Sequence, residues 1–397
     1  MPASARPDPH GGAPPMLYVY PQFHTVSFTL IARKHVEYIR KLGLARVHEL
    51  DELAFPSYAP LVKYTAVLHP WIYIYGRVLR ARMDALDESL RHKFPEYLAW
   101  WRSHYGRLVA VDVCDSDRMS DYAVELLNRA DAVIVPSRFC VEVYRASGVK
   151  VPVYRVPHGV DPEWYSAPSV WETAPVKALN PVLVDLYLYK IRKNKRFLLF
   201  WLCHSPARKG WFEVREVYTR LVRKRKDVVL VMKTAAPNMP EFQEVMHLGA
   251  VQVYGWLDDY EKMALYDLAD VTLVFSRGGA FEVCALESLA RGVPAVTSSW
   301  GPWTEYVPPF LQVRTGERVR VFENNAIHVG HGYKVDVEDA VARVEDVLDS
   351  YEEYRARVEE WRQRVLAREY RWDIIASRLV SVVLGAAQTL IGPAAPS

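Results

Sequence analysis

The chain has 397 residues, of which half are hydrophobic and 24% are charged, a composition typical of a folded protein with two or three domains. The formal net charge of +3 is too close to zero to indicate a nucleic-acid-binding protein. The cysteines, Cys114, Cys140, Cys203 and Cys284, are widely spaced without a CxxC pair. This spacing favours reduced thiols in an intracellular protein over a disulfide framework or a zinc site.

The two ends of the chain differ in composition. Residues 1–15 are rich in Pro, Gly and Ala and lack an apolar core, so we expect a flexible tail and no signal peptide. The apolar stretch 374–391 is interrupted by serines, an arginine and a glutamine, which favours a packing helix over a transmembrane span. We expect a cytoplasmic protein, with peripheral contact at the inner membrane surface left open.

The first half of the chain alternates short apolar runs with helical patterns, as in an α/β domain. Strands are predicted at residues 16–21, 46–50, 64–68, 108–113 and 132–136, and helices at 28–42 and 81–105. Candidate ligand-facing groups follow three of these strands: His24 and Ser27, then His69, then Asp112 and Asp115. In α/β proteins, ligand-facing groups lie at the carboxyl ends of the strands.

For some of these positions the sequence leaves more than one role open. His24 fits a surface loop as well as a functional group, and Thr25 and Ser27 are candidates for a phosphate contact. Asp115 and Asp117 form an Asp-x-Asp pair, a pattern that also occurs in metal sites.

An interdomain connection is predicted at residues 162–195. It follows a strand, a turn and a Pro-rich exit at 151–161, and its own composition is irregular. The stretch 190–196 carries five basic residues in seven. These fit an anionic lipid surface or an acceptor phosphate, and they also fit a solvated basic face, which we favour.

The second half restarts the alternation with a strand at 197–203. The loop 204–210, HSPARKG, lies between this strand and a helix that starts at Trp211. Basic side chains in such a loop, with the N–H groups and the dipole of the helix N-terminus, form an anion site. Arg208 and Lys209 are therefore candidate anion ligands. Further strands are predicted at 228–233 and 251–256, and a helix at 258–269.

The segment 269–297, ADVTLVFSRGGAFEVCALESLARGVPAVT, predicts a parallel strand–helix–strand unit. A buried strand at 271–275 leads into two glycines, which permit a tight turn or a close approach to a ligand. A helix at 281–291 ends at Gly292, and a strand at 293–297 follows. The N-terminus of this helix points at any ligand held above the sheet.

Glu287 lies on the predicted inward stripe of this helix, together with Val283, Leu286 and Ala290. An isolated carboxylate is costly to bury, so Glu287 requires a partner or a ligand. A pair with Arg291 at i+4 is one solution, and a bound ligand is the other.

This segment resembles the donor site of the retaining nucleotide-sugar glycosyltransferases of the GT-B fold (family four, group 1). Phe281 and the run 286–296, Leu-Glu-Ser-Leu-Ala-Arg-Gly-Val-Pro-Ala-Val, match the family pattern in order. Lys209 is similar in place to the family lysine at the donor diphosphate. The segments 158–161 (HGVD) and 369–372 (EYRW) resemble those that close the first domain and cross back onto it.

The resemblance implies roles for particular residues. Glu287 would hydrogen-bond the ribose hydroxyls, while Lys209 and Arg208 would stabilise the leaving diphosphate. Donor contacts are expected at His204, Gly210, Trp256, Leu257, Gly278, Gly279, Ala280, Phe281 and Glu282. Acceptor-side candidates are His24, Ser27, His69, Asp112 and Asp115. Trp256 also fits a core position, and the family implies no essential metal.

Three features depart from the family pattern. The glutamate that the family carries eight residues before Glu287 is Gly279 here, and Glu282 is a candidate to take over its contact with the sugar. The family arginine falls on His204, so either Arg208 replaces it or a protonated His204 binds a phosphate, and we favour Arg208. The turn after the first strand lacks the Gly-Gly pair that touches donor phosphates.

The sequence therefore predicts an α/β protein with two doubly wound, Rossmann-like domains facing across a cleft. Residues 16–161, joined by a C-terminal helix at about 373–392, form an acceptor domain, and residues 196–372 form the donor domain. The expected reaction moves a hexose from a UDP- or GDP-sugar to a hydroxyl of a glycan, a lipid-linked or a small-molecule acceptor, with retention of configuration. The alternatives are a sugar-nucleotide 2-epimerase and a catalytically degenerate nucleotide-binding scaffold subunit. No cofactor beyond the donor and no nucleic acid is expected.

Overall fold

The computed structural model of the chain describes residues 15–24, 26–84, 86–173, 179–202, 204–235 and 240–385. Most of the predicted tail, Thr25, Cys203 and the end of the predicted terminal helix lie outside these ranges. Within them, each helix is too short or too polar to span a membrane.

Six parallel strands form the N-terminal sheet, in the order β2-β1-β3-β4-β5-β6. They are β1 (Met16–Tyr20), β2 (Val47–Asp51), β3 (Tyr64–Leu68), β4 (Tyr105–Val111), β5 (Ala132–Val135) and β6 (Val153–Arg155). The helices around them are α1 (Ser27–Lys41), α2 (Trp71–Asp84), α3 (Phe94–Arg102), α4 (Asp121–Leu127) and α5 (Arg138–Ser147). The strand order reverses between β1 and β3, which creates a topological switch point at the carboxyl end of β1.

The prediction of a single helix at 81–105 is wrong. Helix α2 begins earlier and ends at Asp84, a 3₁₀ helix spans Glu88–Lys93, and α3 covers Phe94–Arg102. Pro95 lies in the first turn of α3, where its missing N–H leaves no helix bond unmade. The same residue would break a continuous helix, because an interior position requires that N–H.

The connection contains more structure than predicted. It holds α6 (Glu163–Ser166), α7 (Val170–Thr173) and the 13-residue helix α8 (Pro181–Lys193). The side chain of Asn180 accepts the N–H of Val182, and Pro181 occupies the first turn of α8. Asn-Pro is thus a helix start that the high proline content concealed.

The basic run at the end of α8 is largely engaged within the protein. Lys190 and Arg196 pair with the buried carboxylate of Asp270, at 2.6 and 3.0 Å, and Lys195 donates to the carbonyl of Lys226. Three of the five cations therefore stabilise the start of the second domain.

The C-terminal sheet also has six parallel strands, in the order β12-β11-β10-β7-β8-β9. They are β7 (Arg196–Leu202), β8 (Val228–Thr234), β9 (Val251–Tyr254), β10 (Val271–Val274), β11 (Ala295–Ser298) and β12 (Gln312–Val313). The helices are α9 (Trp211–Lys224), α10 (Gln243–His247), α11 (Asp259–Leu268), α12 (Val283–Ala290), α13 (Val337–Asp349) and α14 (Tyr351–Trp361). Here the switch point lies between β7 and β10.

The end of the described chain returns to the first domain. After α14 and a π-helical turn (Arg362–Leu366), α15 (Ala367–Glu369) leads to α16 (Trp372–Val383). Helix α16 packs on α1, and apolar residues of both helices share one core with the N-terminal sheet. The prediction of two doubly wound α/β domains is confirmed.

The two domains contact each other beside their sheets. A hairpin of the second domain, β13 (Thr315–Arg320) and β14 (His331–Val335), lies against the loop after β4, where His331 N–H donates to Asp117 at 2.6 Å. Glu305 of the second domain pairs with Arg155 at 2.8 Å. Its carboxylate also accepts N–H groups at the start of α5, from Arg138 and Phe139.

Candidate functional site

The two loops with the strongest sequence signals meet at the switch point of the C-terminal sheet. The β7 loop (residues 204–210) and the β10 loop (residues 275–282) leave neighbouring parallel strands at the same edge. Gly210 has φ 73°, and a Cβ on it would lie 2.0 Å from the carbonyl oxygen of Phe275. Only glycine fits there, because the backbones of the two loops touch.

Lys209 and Glu282 form an ion pair between these loops. The Lys209 ammonium lies 2.7 and 2.9 Å from the two carboxylate oxygens of Glu282, whose side chain is 3% exposed. The Tyr306 hydroxyl fixes the Glu282 backbone: it accepts the N–H at 2.9 Å and donates to the carbonyl at 3.0 Å. The lysine predicted for the diphosphate is therefore paired with a carboxylate of the β10 loop.

Gly279 stands where the family pattern has its first glutamate. A Cβ on Gly279 would lie 3.1 Å from Glu282 Oε1 and 3.7 Å from Arg208 Nη1. The Glu282 carboxylate thus fills the space that a side chain at residue 279 would enter. The loop keeps a carboxylate at this place, although it comes from a different residue.

Arg208 connects the loops to the first domain. Its Nη1 donates to the Gly278 carbonyl at 3.1 Å and lies 4.0 Å from the carboxylate of Asp115, which follows β4. A Cβ on Gly278 would lie 2.2 Å from the Asp115 carbonyl, so glycine is required where the domains touch. Burial by itself would raise the pKa of Asp115. The positive charges around it, of which Arg208 contributes the most, outweigh burial and lower the pKa. Of the five acceptor-side candidates, Asp115 is the one that this contact brings to the β10 loop.

His204 lies at the end of β7 beside the same cations. Partial burial, followed by the charges of Arg208 and Lys209, lowers its pKa. A neutral imidazole attracts phosphate less than a cation does. Arg208 is accordingly the better replacement for the arginine of the family pattern.

Glu287 is buried on α12, and α11 holds its carboxylate. The Lys262 ammonium donates to Oε1 at 3.0 Å and the Tyr266 hydroxyl donates to Oε2 at 2.9 Å. The alternative pairing with Arg291 is wrong, because Arg291 lies just past the end of α12 and pairs with Asp267 at 2.8 Å. No local pattern in the sequence links Lys262 or Tyr266 to Glu287, so sequence reasoning missed both partners.

Helix α12 differs from its prediction in length and in exposure. It spans eight residues, Val283–Ala290, instead of 281–291, and the residues from 285 to 290 are all buried. The expected single inward stripe is wrong, because packing from both domains covers α12 on most sides.

Cys284 lies between the two carboxylates of the site. Its Sγ is 3.7 Å from Glu282 Oε2. Burial raises the pKa of the thiol, and the charges of Glu282 and Glu287 raise it further against the opposing charge of Lys209. Glu282 is the residue before α12 and Glu287 lies on that helix, so the partner of Lys209 and Glu287 belong to one loop–helix unit.

Aromatic side chains border this site. Phe281 stacks on Tyr306, with ring centroids 4.6 Å apart, and meets the His158 ring at 5.0 Å. Trp256, after β9, is 63% exposed, so the alternative of a core tryptophan is wrong, whereas Leu257 is buried. The indole of Trp256 lies at the same carboxyl edge of the sheet as the β7 and β10 loops.

Two acceptor-side candidates are buried. Asp112 accepts the N–H groups of Ile72, at 2.7 Å, and Val113, at 2.8 Å, so its carboxylate stabilises the start of α2. Burial raises the pKa of Asp112 to about 7. His69 is 1% exposed, with its Nδ1 3.2 Å from the Tyr18 hydroxyl. Neither side chain reaches the surface of the cleft.

The other two candidates, His24 and Ser27, are exposed at the carboxyl end of β1. They follow the switch point of the first sheet, next to Phe23, which is 81% exposed. Among the hydrogen bonds between described residues, none joins His24 or Ser27 to the β7 or β10 loop.

The two aspartates of the Asp-x-Asp pair contact different partners. Asp115 faces Arg208, whereas Asp117 pairs with Arg318 at 2.7 Å. In the part of the chain that the structure describes, no three His, Cys, Asp or Glu side chains form a group that could hold a metal ion.

A cavity of about 360 Å³ opens at the opposite edge of the second domain. Its lining includes Arg291, Arg362, Glu359 and residues that precede β10 and β11. The amino ends of the strands form this edge, so the cavity lies away from Lys209 and the β10 loop.

Comparisons with known proteins agree with this geometry. Residues 197–326 match the family described as glycosyl transferases group 1. Anabaena HepE, solved in complex with UDP and glucose, has a TM-score of 0.63 and 11% identity, covering 94% of this chain and 99% of HepE. Residues 197–326 are thus similar to the group 1 glycosyl transferases, and the likeness to HepE shows the GT-B fold.

Two relatives of this chain come from viruses. An uncharacterized protein of Sulfolobus islandicus rod-shaped virus 1 is 28% identical over 351 residues, covering 87% of this chain and 91% of the relative. A putative glycosyltransferase of Sulfolobus islandicus filamentous virus is 24% identical over 275 residues, covering 67% of this chain and 70% of the relative. The similarity to the first relative thus extends through both domains.

Proposed function

We propose that this protein is a glycosyltransferase that moves a hexose from a UDP- or GDP-sugar to an acceptor hydroxyl with retention of configuration. One observation carries the proposal: Lys209, Arg208 and the β10 loop converge at the switch point, with Glu287 beside them and Asp115 opposite. A carboxyl edge with two cations and a buried carboxylate suits a ligand that carries both a diphosphate and hydroxyl groups.

The leaving diphosphate binds to Arg208 and Lys209. Negative charge grows on the diphosphate as its bond to the sugar breaks, so cations fixed beforehand stabilise the transition state more than the ground state. The N-terminus of α12 adds the positive end of its dipole. In this proposal the two side chains neutralise the leaving group without a metal ion.

Glu287 binds the ribose hydroxyls of the nucleotide. Each of its oxygens already accepts one hydrogen bond, from Lys262 or from Tyr266, and each retains a lone pair for a ribose hydroxyl. The two donors also fix the direction of the carboxylate, which contributes orientation rather than proton transfer. The exposed indole of Trp256 supplies a stacking surface for the base.

Glu282 replaces the missing first glutamate and contacts hydroxyls of the donor sugar. Its position against Gly279 supports this role. Because Glu282 also holds Lys209, the diphosphate shares the lysine with this carboxylate. Glu282 therefore weakens diphosphate binding by its charge while it orients the sugar.

The acceptor enters from the carboxyl edge of the first sheet, past His24, Ser27 and Asp115. Its hydroxyl attacks the anomeric carbon on the face from which the diphosphate departs, which retains the configuration. The complex of HepE with UDP and glucose supports UDP-glucose as the first donor to test.

A thermal-shift panel of UDP-, GDP- and ADP-sugars tests the donor, since a ligand that binds only the folded state raises the melting temperature. The stabilising sugar nucleotide is then incubated with and without a mixture of glycan and lipid-linked acceptors, and NMR determines the anomeric configuration of the product. Transfer with retention supports the proposal. Conversion without any acceptor identifies an epimerase, binding without conversion identifies a scaffold, and the absence of any stabilisation contradicts a nucleotide-sugar site.

A further inference from the structure

A row of alternating charges runs from the first domain to Glu287. Asp161 lies 2.7 Å from Lys34, Lys34 lies 3.3 Å from Asp259, Asp259 lies 2.7 Å from Lys262, and Lys262 lies 3.0 Å from Glu287. We call these five residues the charge row. Each member contacts the next directly, so the charge row connects the two domains with the nucleotide side of the site.

The charge row runs from a helix of the first domain to a helix of the second. Lys34 lies on α1 of the first domain, while Asp259 is the first residue of α11 in the second. Asp259, Lys262 and Tyr266 lie at i, i+3 and i+7, on one face of α11. One helix therefore holds both oxygens of Glu287 and also receives the contact from the other domain.

The Lys262–Glu287 pair at the end of the row is more buried than an ordinary surface pair, whereas the side chains of Lys34 and Asp259 are 25% and 44% exposed. The Lys262 ammonium is partly buried and lies 5.4 Å from the centre of the Trp164 ring. Burial opposes its charge, but Glu287 and Asp259 outweigh burial and raise the pKa of Lys262. Charges in such surroundings interact more strongly than fully exposed pairs do.

The Lys262 ammonium contacts two carboxylates, those of Asp259 and Glu287. Lys34 neutralises part of the charge of Asp259 from the other side. Without Lys34, Asp259 attracts the Lys262 ammonium more strongly, and the hydrogen bond to Glu287 weakens. The contact between the domains thus influences the carboxylate that faces the nucleotide.

We propose that Lys34 is a positioning residue for the donor site, because its contact with Asp259 couples the contact between the two domains to the orientation of Glu287. The inference rests on the proposed role of Glu287 at the ribose. Lys34 itself touches no part of the donor. The arrangement in which Lys34 contacts Asp259 is then the one with the higher affinity for nucleotide.

The test measures UDP and GDP affinity by titration calorimetry for Lys34→Met, with Lys34→Arg as the charge-preserving variant. We expect Lys34→Met to weaken binding roughly 5–10-fold, in the range of typical coupling between sites, and Lys34→Arg to restore most of it. In a Glu287→Gln background the Lys34→Met effect should disappear, since the coupled carboxylate is gone. Lys41→Met, an exposed lysine on the same helix, is the matched control and should bind as the wild type does.

A second readout needs no ligand. Small-angle scattering should give a larger radius of gyration for Lys34→Met than for Lys41→Met, because one of the contacts between the domains is lost while those of Glu305 and Asp117 remain. Unchanged affinity, or an equal loss in the Glu287→Gln background, overturns the coupling. If the wild type binds neither UDP nor GDP, the proposed function fails, and scattering alone decides whether Lys34 holds the domains together: an unchanged radius overturns that as well.

Discussion

The carboxyl edges of the two sheets have the same architecture and different chemistry. At the second edge, Lys209, Arg208 and Glu287 are all held by partners of opposite charge or by hydrogen bonds. At the switch point of the first edge, Phe23 and His24 are exposed, and none of the ion pairs between described residues involves His24. The second edge therefore holds a fixed cluster of charges, whereas the first presents an open apolar and polar surface.

Below the first edge lie histidines instead of ion pairs. The Tyr18 hydroxyl is 2.7 Å from His35 Nδ1 and 3.2 Å from His69 Nδ1. The two imidazole rings lie 5.9 Å apart, and His158 lies near them beside Trp372. Burial lowers the pKa of both His35 and His158 to about 3, so these rings are neutral where the opposite edge is charged.

The comparison predicts that Lys209 has the largest effect on turnover. Lys209→Met by itself leaves Glu282 buried without a partner, a loss of about 3–5 kcal/mol in the free energy of unfolding. The informative variant is therefore Lys209→Met in a Glu282→Gln background, which removes both charges. We expect kcat to fall about 10²–10³-fold relative to Glu282→Gln, because the leaving diphosphate loses a cation.

Glu282→Gln alone serves as the reference in that experiment. Removing its charge frees Lys209 for the nucleotide, so the affinity for UDP or GDP should rise roughly tenfold, while transfer slows because the sugar contact weakens. Calorimetry and steady-state kinetics measure the two effects. Weaker nucleotide binding in Glu282→Gln would contradict the view that this carboxylate competes with the diphosphate.

Glu287→Gln should have the next largest effect, on nucleotide affinity. An amide keeps the shape of the side chain but accepts hydrogen bonds less strongly. We expect binding of UDP or GDP to weaken by about 10–100-fold, in keeping with about 1.5–3 kcal/mol for hydrogen bonds to a charged group. A melting temperature near that of the wild type, measured beside the binding curve, separates this effect from a loss of folding.

The stability of the first domain should depend on pH, because this domain contains buried histidines that are neutral in the folded state. The unfolded chain protonates a histidine near pH 6.5, whereas His35 and His158 take up a proton only near pH 3 in the folded state. Stability is therefore lost as the pH falls from about 6.5 towards 3, on the order of 2 kcal/mol per histidine at pH 5. Urea unfolding at pH 7.5 and pH 5 measures the loss.

Asp112 acts in the opposite direction. Its pKa is raised to about 7 in the folded state, so it takes up a proton before the unfolded chain does and stabilises the fold as the pH falls from 7 towards 4. His35→Gln should flatten the pH dependence, and Asp112→Asn should make it steeper. Equal slopes for both variants and the wild type would show that these groups titrate normally.

Phe23→Ser should have the smallest effect on stability and the most selective effect on function. Phe23 is 81% exposed, so its replacement changes the free energy of unfolding by less than about 0.5 kcal/mol. We expect unchanged nucleotide affinity and a several-fold higher KM for the acceptor. Leu248→Ser, at an exposed apolar residue of the second domain, is the control, and equal kinetics in both variants would remove Phe23 from the acceptor side.

Local patterns located most of the strands and the two loops of the donor site. The apolar run 271–275 and the two glycines after it predicted β10 and its loop, because a short buried strand and a glycine turn leave clear marks in the sequence. The same logic failed at 81–105, where Pro95 divides the segment, and at α8, where Asn180 and Pro181 begin a helix. Residues at the helix ends determine where these helices begin and end, and the periodicity of hydrophobic residues does not show those positions.

The partners of the charged residues could not be predicted in this way. Glu282 is paired with Lys209, 73 residues earlier in the chain, and Glu287 with Lys262 and Tyr266 on another helix. The resemblance to a family pattern fixed which residues are candidates for the donor site. It did not indicate that Glu282 would fill the space beside Gly279.

The sequence alone determined the α/β class, the repeat of two Rossmann-like units, the loop with Lys209 and the helix with Glu287, because these depend on periodicity and on residue types at short spacing. Tertiary structure decided which charges pair, that Asp112 and His69 are buried, and that Asp115 faces Arg208 across the cleft. Those outcomes depend on how strands distant in the chain are ordered in each sheet and on how the two sheets face each other. Pairing energies across such distances are a property of the packed molecule and leave no local pattern in the chain.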